Sequence, residues 1–462
     1  MEFHDEETIA AVATAIAVGQ GGIAVIRISG PQALTIGRNI VHIPGKNNWS
    51  SHTIQYGYVM NESNNEHIDE VLILTMHGPR SFTGEDVVEI HCHGGLISVQ
   101  RILERVLSHP QARRALPGEF SQRAVLNGRL DLTQAEAINE LVGARSHKAA
   151  QLAMEGLDGG IQKRITALRE TLLDQLSELE ARVDFEDELP PLDETIVLNE
   201  LLNVQKELQS LIEEGARGSF LHQGLRIAII GCPNVGKSSL VNRLSRREKA
   251  IVTDIPGTTR DLLESEIILK GVPVTLLDTA GIRKTKDEIE TLGIKKSQEA
   301  LLSADVVVLV FDLTLGWTKN DQALRNQIPN TTTCLLVGNK ADLQNKSEWN
   351  KHKKENTKIR PDVTFSALTG EGEEVFINAL LKKCGSHEIQ GIQIALNERQ
   401  RDLASKARAA LERTKEVAKQ KLPWDFWTID LRAAIHNLGE ITGAEITEAL
   451  LDRIFARFCI GK

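Results

Sequence analysis

Residues 225–240 read LRIAIIGCPNVGKSSL. An apolar, β-branched run forms a buried-strand pattern, GxxxxGKS follows at once, and a helix-forming segment comes after it. That order gives the motif its meaning. The glycines let backbone N–H groups turn toward phosphate oxygens, and the helix N-terminus adds positive potential. Lys237 is then expected to reach the β- and γ-phosphates and the Ser238 hydroxyl to hold Mg²⁺, with Val235, Gly236 and Ser239 completing the cradle. The competing reading, a chance glycine-rich turn, leaves the flanking strand and helix unexplained.

The rest of a nucleotide site follows in order. VTLLDTAG at 274–281 is a strand ending in Asp278, the expected carboxylate on the Mg²⁺ water shell; Thr279 and Ala280 lead to Gly281, whose N–H faces the γ-phosphate. TTRD at 258–261 supplies Thr259 as a second hydroxyl for Mg²⁺. A threonine there binds only while the γ-phosphate is present, so the loop is a switch. CLLVGNKADL at 334–343 is another strand, ending in NKAD. Asp342 can accept hydrogen bonds from the ring N–H and exocyclic amine of guanine, Asn339 and the Lys340 stem line the same pocket, and SAL at 366–368 brings Ser366 and the Ala367 N–H toward O6. Adenine offers no such donor pair, and an unpaired buried carboxylate is costly. The expected ligand is GTP.

One position departs from the small-GTPase pattern. DTAGIR at 278–283 has Ile282 where a water-orienting glutamine would stand. RKTKDEIETLG, which follows, offers Glu288 and Glu290, either able to polarise water through a bridging water; the alternative is a pair of solvated charges. Positive charge at the transition state is also needed. The Asn234 side-chain carbonyl, with backbone carbonyls of the 250–258 loop, can seat a monovalent cation; alternatively Asn234 only shapes the turn, and Arg260 and Arg283 stand as further charge donors.

At 462 residues the chain exceeds one ordinary core and about three domains are expected. Hydrophobic residues at 41% and charged residues at 25% fit a soluble globular protein, and a net charge of −9 argues against broad non-specific grip on nucleic acid. Five scattered cysteines without a CxxC pair point to cytosolic use. TIAAVATAIAV at 8–18 follows EFHDEE rather than basic residues, so it is no secretory leader, and ADVVVLVF at 304–311 is too short to span a bilayer. A soluble, cytoplasmic protein is expected.

Short β-rich runs fill 22–120, with a periodic helix around 95–108. Ile161, Ile165, Leu168, Leu172, Leu176, Leu179 and Val183 then mark one helical face; LPP at 189–191 breaks it, and a second helix runs from about 194 to 214. Helical spacing vanishes at 225 and returns at about 393. The expected fold is multidomain α+β. It has an N-terminal α+β domain (1–120), an all-α helical domain in two parts (121–223 and 386–462) and an inserted α/β Ras-like P-loop domain (224–385). His91-Cys92-His93 is set aside as a metal site, because adjacent strand residues point to opposite faces. Cys459, read alone, is an incidental terminal cysteine.

PNVGKSSL, TDIPGTTRD and DTAGIR, inside a split helical domain that ends in FCIGK, resemble the MnmE (TrmE) family of tRNA-modification GTPases. PGEFSQRAVLNGRLDLTQAEAI at 117–138 narrows the likeness further. The GTPase motifs alone would also fit an Era-like ribosome-assembly GTPase, but 386–462 holds no GxxG loop of a KH module in basic surroundings. The resemblance implies K⁺-stimulated GTP hydrolysis in a homodimer whose G domains meet across the cation. K⁺ would lie among Asn234, Thr253, Ile255 and Thr258, in a loop that includes Asp254, Pro256 and Gly257; Mg²⁺ would sit on Ser238 and Thr259, and Glu290 would activate water. It implies a 5-formyltetrahydrofolate site at Arg27, Glu89, Arg129 and Lys462, and a role for Cys459 in catalysis. It further implies a GidA (MnmG)-type FAD protein as partner, and tRNA carboxymethylaminomethylated at wobble uridine 34 as product.

Overall fold

The computed structural model describes residues 7–16, 21–45, 48–62, 66–184, 193–246, 248–249, 264–278, 301–343, 359–384 and 394–461. They fall into two compact units, one of 1–139, 162–173 and 435–462, the other of 140–161 and 174–434.

The first unit is built on a seven-stranded sheet. Its strands are β1 (Thr8–Val12), β2 (Ile23–Ser29), β3 (Val41–His42), β4 (Thr53–Met60), β5 (His67–Met76), β6 (Val87–His93) and β7 (Ala112–Arg114). They lie in the order β3-β4-β5-β6-β2-β1-β7. Side chains alternate across the sheet. Ile26, Ile28, Ile73 and Ile90 face Ile36 and Ile40 of α1 (Ala33–Ile40) and Val99, Ile102 and Val106 of α2 (Leu96–Leu107), forming one core. Ile23, Ile54, Tyr56 and Leu72 are large apolar residues left exposed.

After β7 comes α3 (Glu119–Leu126), whose start is fixed by charge. The fully buried Glu119 accepts from Arg113 Nη2 at 2.6 Å and Arg123 Nη2 at 3.1 Å, and from the Leu116 N–H at 2.7 Å. Burial alone would raise its pKa; these partners win and hold it below the ordinary carboxylate range. The C-terminal tail lies on the same turn. Gly118 N–H donates to Cys459 O at 3.3 Å, and Phe455 and Phe458 pack with Leu132, Ala135 and Leu451.

Four helices follow: α4 (Leu132–Gly143), α5 (His147–Leu157), α6 (Gly160–Asp184) and α7 (Glu194–Gln223). The second unit carries its own seven-stranded sheet, with β8 (Leu225–Ile230), β9 (Glu248–Lys249), β10 (Glu264–Leu269), β11 (Val272–Asp278), β12 (Val306–Asp312), β13 (Thr333–Asn339) and β14 (Val363–Thr364). The order is β14-β13-β12-β8-β11-β10-β9, parallel from β14 to β11 and antiparallel beyond. VVVLVFD in β12 is buried throughout, as a central parallel strand covered on both faces must be. Ala149 and Leu152 of α5 and Leu221 of α7 belong to the same apolar cluster as Ile227, Ile229, Val274 and Leu276 of this sheet. Among the described residues no helix is long and apolar enough to cross a membrane. The architecture is the multidomain α+β arrangement expected, with an N-terminal α+β part, helices, and a P-loop α/β domain between them.

Candidate nucleotide-binding site

β8 is flanked by β12 on one side and β11 on the other, so the chain leaves it at the point where the strand order reverses, and there a doubly wound sheet opens a crevice. The loop after β8 enters α8 (Lys237–Leu244). Asn234 sits at φ +64°, a left-handed conformation that asparagine tolerates, with its side chain exposed; Val235 is buried. Gly236 caps α8 at φ +96°, and a Cβ there would stand 2.2 Å from Asn339 Nδ2. Both conformation and space demand glycine. Lys237 Nζ donates to the Gly231 and Cys232 carbonyls at 2.8 Å each, spanning the loop from inside. Ser238 and Ser239 open the helix, exposed.

Asn339, 2% exposed, joins the two halves of the site. Its Nδ2 donates to Val235 O at 2.7 Å, and its Oδ1 accepts the Ala367 N–H at 2.9 Å. The donor expected to meet guanine O6 is therefore engaged by Asn339 in this structure. Ser366 Oγ donates to Asp342 Oδ1 at 2.5 Å, which orients the carboxylate. Lys340, at φ +66°, donates to Asp312 Oδ2 at 2.6 Å. Burial pushes the Asp312 pKa up, but Lys340 and Thr314 outweigh it and hold the carboxyl below its usual range. Asp312 is the residue the motif reading missed. It stands at the C-terminal end of β12, the edge where ligands enter such sheets, and that position was the available signal.

Thr253, Asp254, Ile255, Pro256, Gly257, Thr258, Thr259, Thr279, Ala280, Gly281, Ile282, Glu288, Glu290, Arg260, Arg283 and Lys462 lie outside the described residues. Asp278 ends β11 in register with Ile229 of β8, beside the phosphate loop.

In the first unit Arg27 and Glu89 face each other across β2 and β6, with Arg27 Nε donating to Glu89 Oε1 at 2.8 Å. The Arg27 guanidinium lies 5.3 Å from the Phe82 ring centre and 5.6 Å from that of Phe120, and Arg129 lies 5.6 Å from Phe82. Two of the four expected folate residues, Arg27 and Arg129, thus lie against one phenyl ring, and a third, Glu89, is bonded to Arg27. His91 Nε2, 3.5 Å from Glu89 Oε2, is buried without a hydrogen bond among the described residues. Phe82 and Phe120 escaped the motif reading, and His91 was weighed there only as a metal ligand, because only the fold brings them to Arg27 and Glu89. Cys459 is exposed on the turn held by Gly118. Among the described residues no group of three or more His, Cys, Asp and Glu could hold a metal ion.

A mostly parallel sheet with this loop at its switch point, a buried asparagine bridging loop and base pocket, and a serine-held aspartate together define a P-loop nucleotide-binding protein of the guanine-recognising class. A family model described as the MnmE helical domain matches residues 132–459, and one described as the GTP-binding protein TrmE N-terminus matches residues 8–129. A tRNA modification GTPase MnmE of Prochlorococcus marinus (strain MIT 9303) is 68% identical over 457 residues, covering 99% of this chain and 98% of the relative. That of Synechococcus sp. (strain CC9902) is 64% identical over 456 residues, covering 99% of each. That of Synechococcus sp. (strain WH7803) is 62% identical over 459 residues, again covering 99% of each. The chain belongs to the MnmE (TrmE) family. A solved Aquifex aeolicus Era structure is 26% identical and covers 40% of this chain and 66% of that chain; its TM-score of 0.29 is too low to support the Era-like alternative.

Proposed function

We propose that this chain hydrolyses GTP to GDP and acts in tRNA modification, converting wobble uridine 34 to its carboxymethylaminomethyl form together with a GidA (MnmG)-type FAD protein in the cytoplasm. The observation that carries the GTP reading is the Asn339 bridge. A single buried side chain ties the phosphate loop at Val235 to the base loop at Ala367, while Ser366 orients Asp342 for a guanine edge.

The residues present fit Mg²⁺. Ser238 offers an exposed hydroxyl at the start of α8, and Thr259 and Asp278 complete a hydroxyl and carboxylate donor set of the kind Mg²⁺ takes. Bound there, the ion neutralises charge on the β- and γ-phosphates. Lys237 contributes a second positive charge once its ammonium leaves the loop carbonyls for phosphate oxygens. K⁺ fits an all-oxygen set from Asn234, Thr253, Ile255 and Thr258, because the Asn234 side chain is exposed and unengaged among the described residues. Its charge would serve in place of an arginine. Glu290 would order the attacking water, the task Ile282 cannot perform.

A reduced folate such as 5-formyltetrahydrofolate fits the first unit. Arg27, Arg129 and Lys462 suit a glutamate tail, Glu89 suits pterin N–H groups, and Phe82 and Phe120 offer aromatic faces. Such a group would supply the one-carbon unit, and Cys459 on its exposed turn is the candidate catalytic thiol. A homodimer is supported by the exposed Ile23, Ile54, Tyr56 and Leu72, since a monomer seldom leaves a broad apolar sheet face uncovered.

GTP turnover of the purified chain in KCl against NaCl tests the cation assignment. Hydrolysis at least tenfold faster in K⁺ is expected, in line with the size of a transition-state charge contribution. Equal rates would remove the cation from the reading.

A further inference from the structure

Within the GTP reading, on which this inference rests, we propose that Arg243 is a positioning residue for guanine recognition. From the last turn of α8 it pins the loop 366–373 that orients Asp342. Arg243 lies outside GxxxxGKS, NKAD and SAL, so no nucleotide motif contains it.

The geometry is that of a clamp. Arg243 Nε donates to Glu373 Oε2 at 2.7 Å, and Nη1 donates to Leu368 O at 3.2 Å. Glu373 opens the helix Glu373–Lys383, and Leu368 adjoins Ala367. The loop closes on itself between those points: Gly370 N–H donates to Ser366 O at 2.8 Å, Ser366 N–H to Glu371 O at 2.9 Å and Thr369 N–H to Ser366 Oγ at 3.1 Å. The guanidinium lies against Gly370, where a Cβ would stand 1.8 Å from Nη2 and where φ is +88°. No other residue leaves room for the arginine there.

The consequence runs along α8. Its first turn carries Lys237 and Ser238, and its last turn carries Arg243. One rigid segment of eight residues therefore ends in the phosphate cradle on one side and grips the base loop on the other. Arg243 is 31% exposed and Glu373 11%, so solvent moderates the pair. Its value is orientation: a planar guanidinium holds two acceptors in a fixed fork, a geometry that a freely rotating ammonium does not impose. With the clamp in place, Ser366 Oγ stays on Asp342 and the carboxylate stays aimed at the guanine amine.

The test uses the full-length chain and fluorescent GDP and IDP, the latter lacking the exocyclic amine, in stopped-flow dissociation and equilibrium titration. Arg243→Ala should speed GDP dissociation about tenfold, a loss the size of one well-placed charged hydrogen bond. IDP should lose less, so the GDP-to-IDP affinity ratio falls. Arg243→Lys, which keeps the charge but lacks the rigid fork, should lie between. Glu373→Ala added to Arg243→Ala should cost little further, because the two share one interaction. Unchanged GDP dissociation in Arg243→Ala, equal losses for GDP and IDP, or fully additive effects of the two substitutions would each overturn the inference. Wild-type protein that bound neither nucleotide would instead overturn the GTP reading, and this inference with it.

Discussion

Replacing Asn339 by alanine removes a buried side chain that bonds both the phosphate loop and the base loop. Two hydrogen bonds disappear, at 2.7 Å to Val235 O and 2.9 Å from the Ala367 N–H. Val235 is 4% exposed and Ala367 9%, so water reaches the orphaned carbonyl and N–H poorly. Each buried unsatisfied group costs about 1–3 kcal/mol, which puts the loss of stability at about 2–6 kcal/mol. Partial water entry into the space left by the amide moves the expectation to the lower half of that range. Nucleotide grip should weaken in parallel, because Val235 and Ala367 no longer share a strut. Asn339→Asp makes a sharper probe, since it keeps the acceptor for Ala367 but sets a carboxylate oxygen against the Val235 carbonyl. Urea unfolding with and without GDP, together with GDP titration, gives both quantities. A stability loss below about 1 kcal/mol in Asn339→Ala, with unchanged GDP affinity, would refute the strut.

Glu119→Gln should cost about 3–5 kcal/mol at neutral pH, as it leaves Arg113 and Arg123 without their buried anion. The folded pKa of Glu119 is depressed, so its contribution is complete above the ordinary value of 4.5 and disappears as pH falls through the lower folded value. The wild-type and variant stability curves should therefore converge in acid; a pH-independent gap in urea unfolding would contradict the ion network. Glu290→Ala should abolish GTP turnover while GDP binding persists, and surviving turnover would move the role to Glu288. Leu72→Asp changes a residue 47% exposed, so the effect on subunit stability should stay within about 0.5 kcal/mol, while sedimentation shows loss of the dimer. A variant that still sediments as a dimer would clear that face of the role.

The phosphate loop was legible because its constraint is local: Gly236 must adopt a left-handed conformation against Asn339, and only a particular residue type permits it. The apolar run that becomes β12 was read only as too short to span a bilayer, and its burial throughout shows it to be a central strand. The second helix was read as ending near 214, but α7 continues to Gln223 through Gly215 and Gly218. Glycine lowers helix propensity, yet a Cβ at Gly215 would stand 2.8 Å from Leu396 Cβ, so close packing there sets the residue and overrides propensity. The cluster around Phe82 stayed hidden for a different reason. Arg27, Phe82 and the Phe120–Arg129 segment are separated by long stretches of chain, and nothing in their local pattern distinguishes these residues from ordinary strand, helix and loop positions. The engagement of the Ala367 N–H by Asn339 was equally invisible, since NKAD and SAL look the same whether or not they bond to each other.

Ala149, Leu152 and Leu221 come from segments on the N-terminal side of the nucleotide module, yet they finish its hydrophobic interior. Excising the module at its sequence ends would strip these three side chains from its core. The same junction sets β11, the strand that ends at Asp278, directly against α7. Buried side chains, and not a linker alone, thus join that strand to the helix before it.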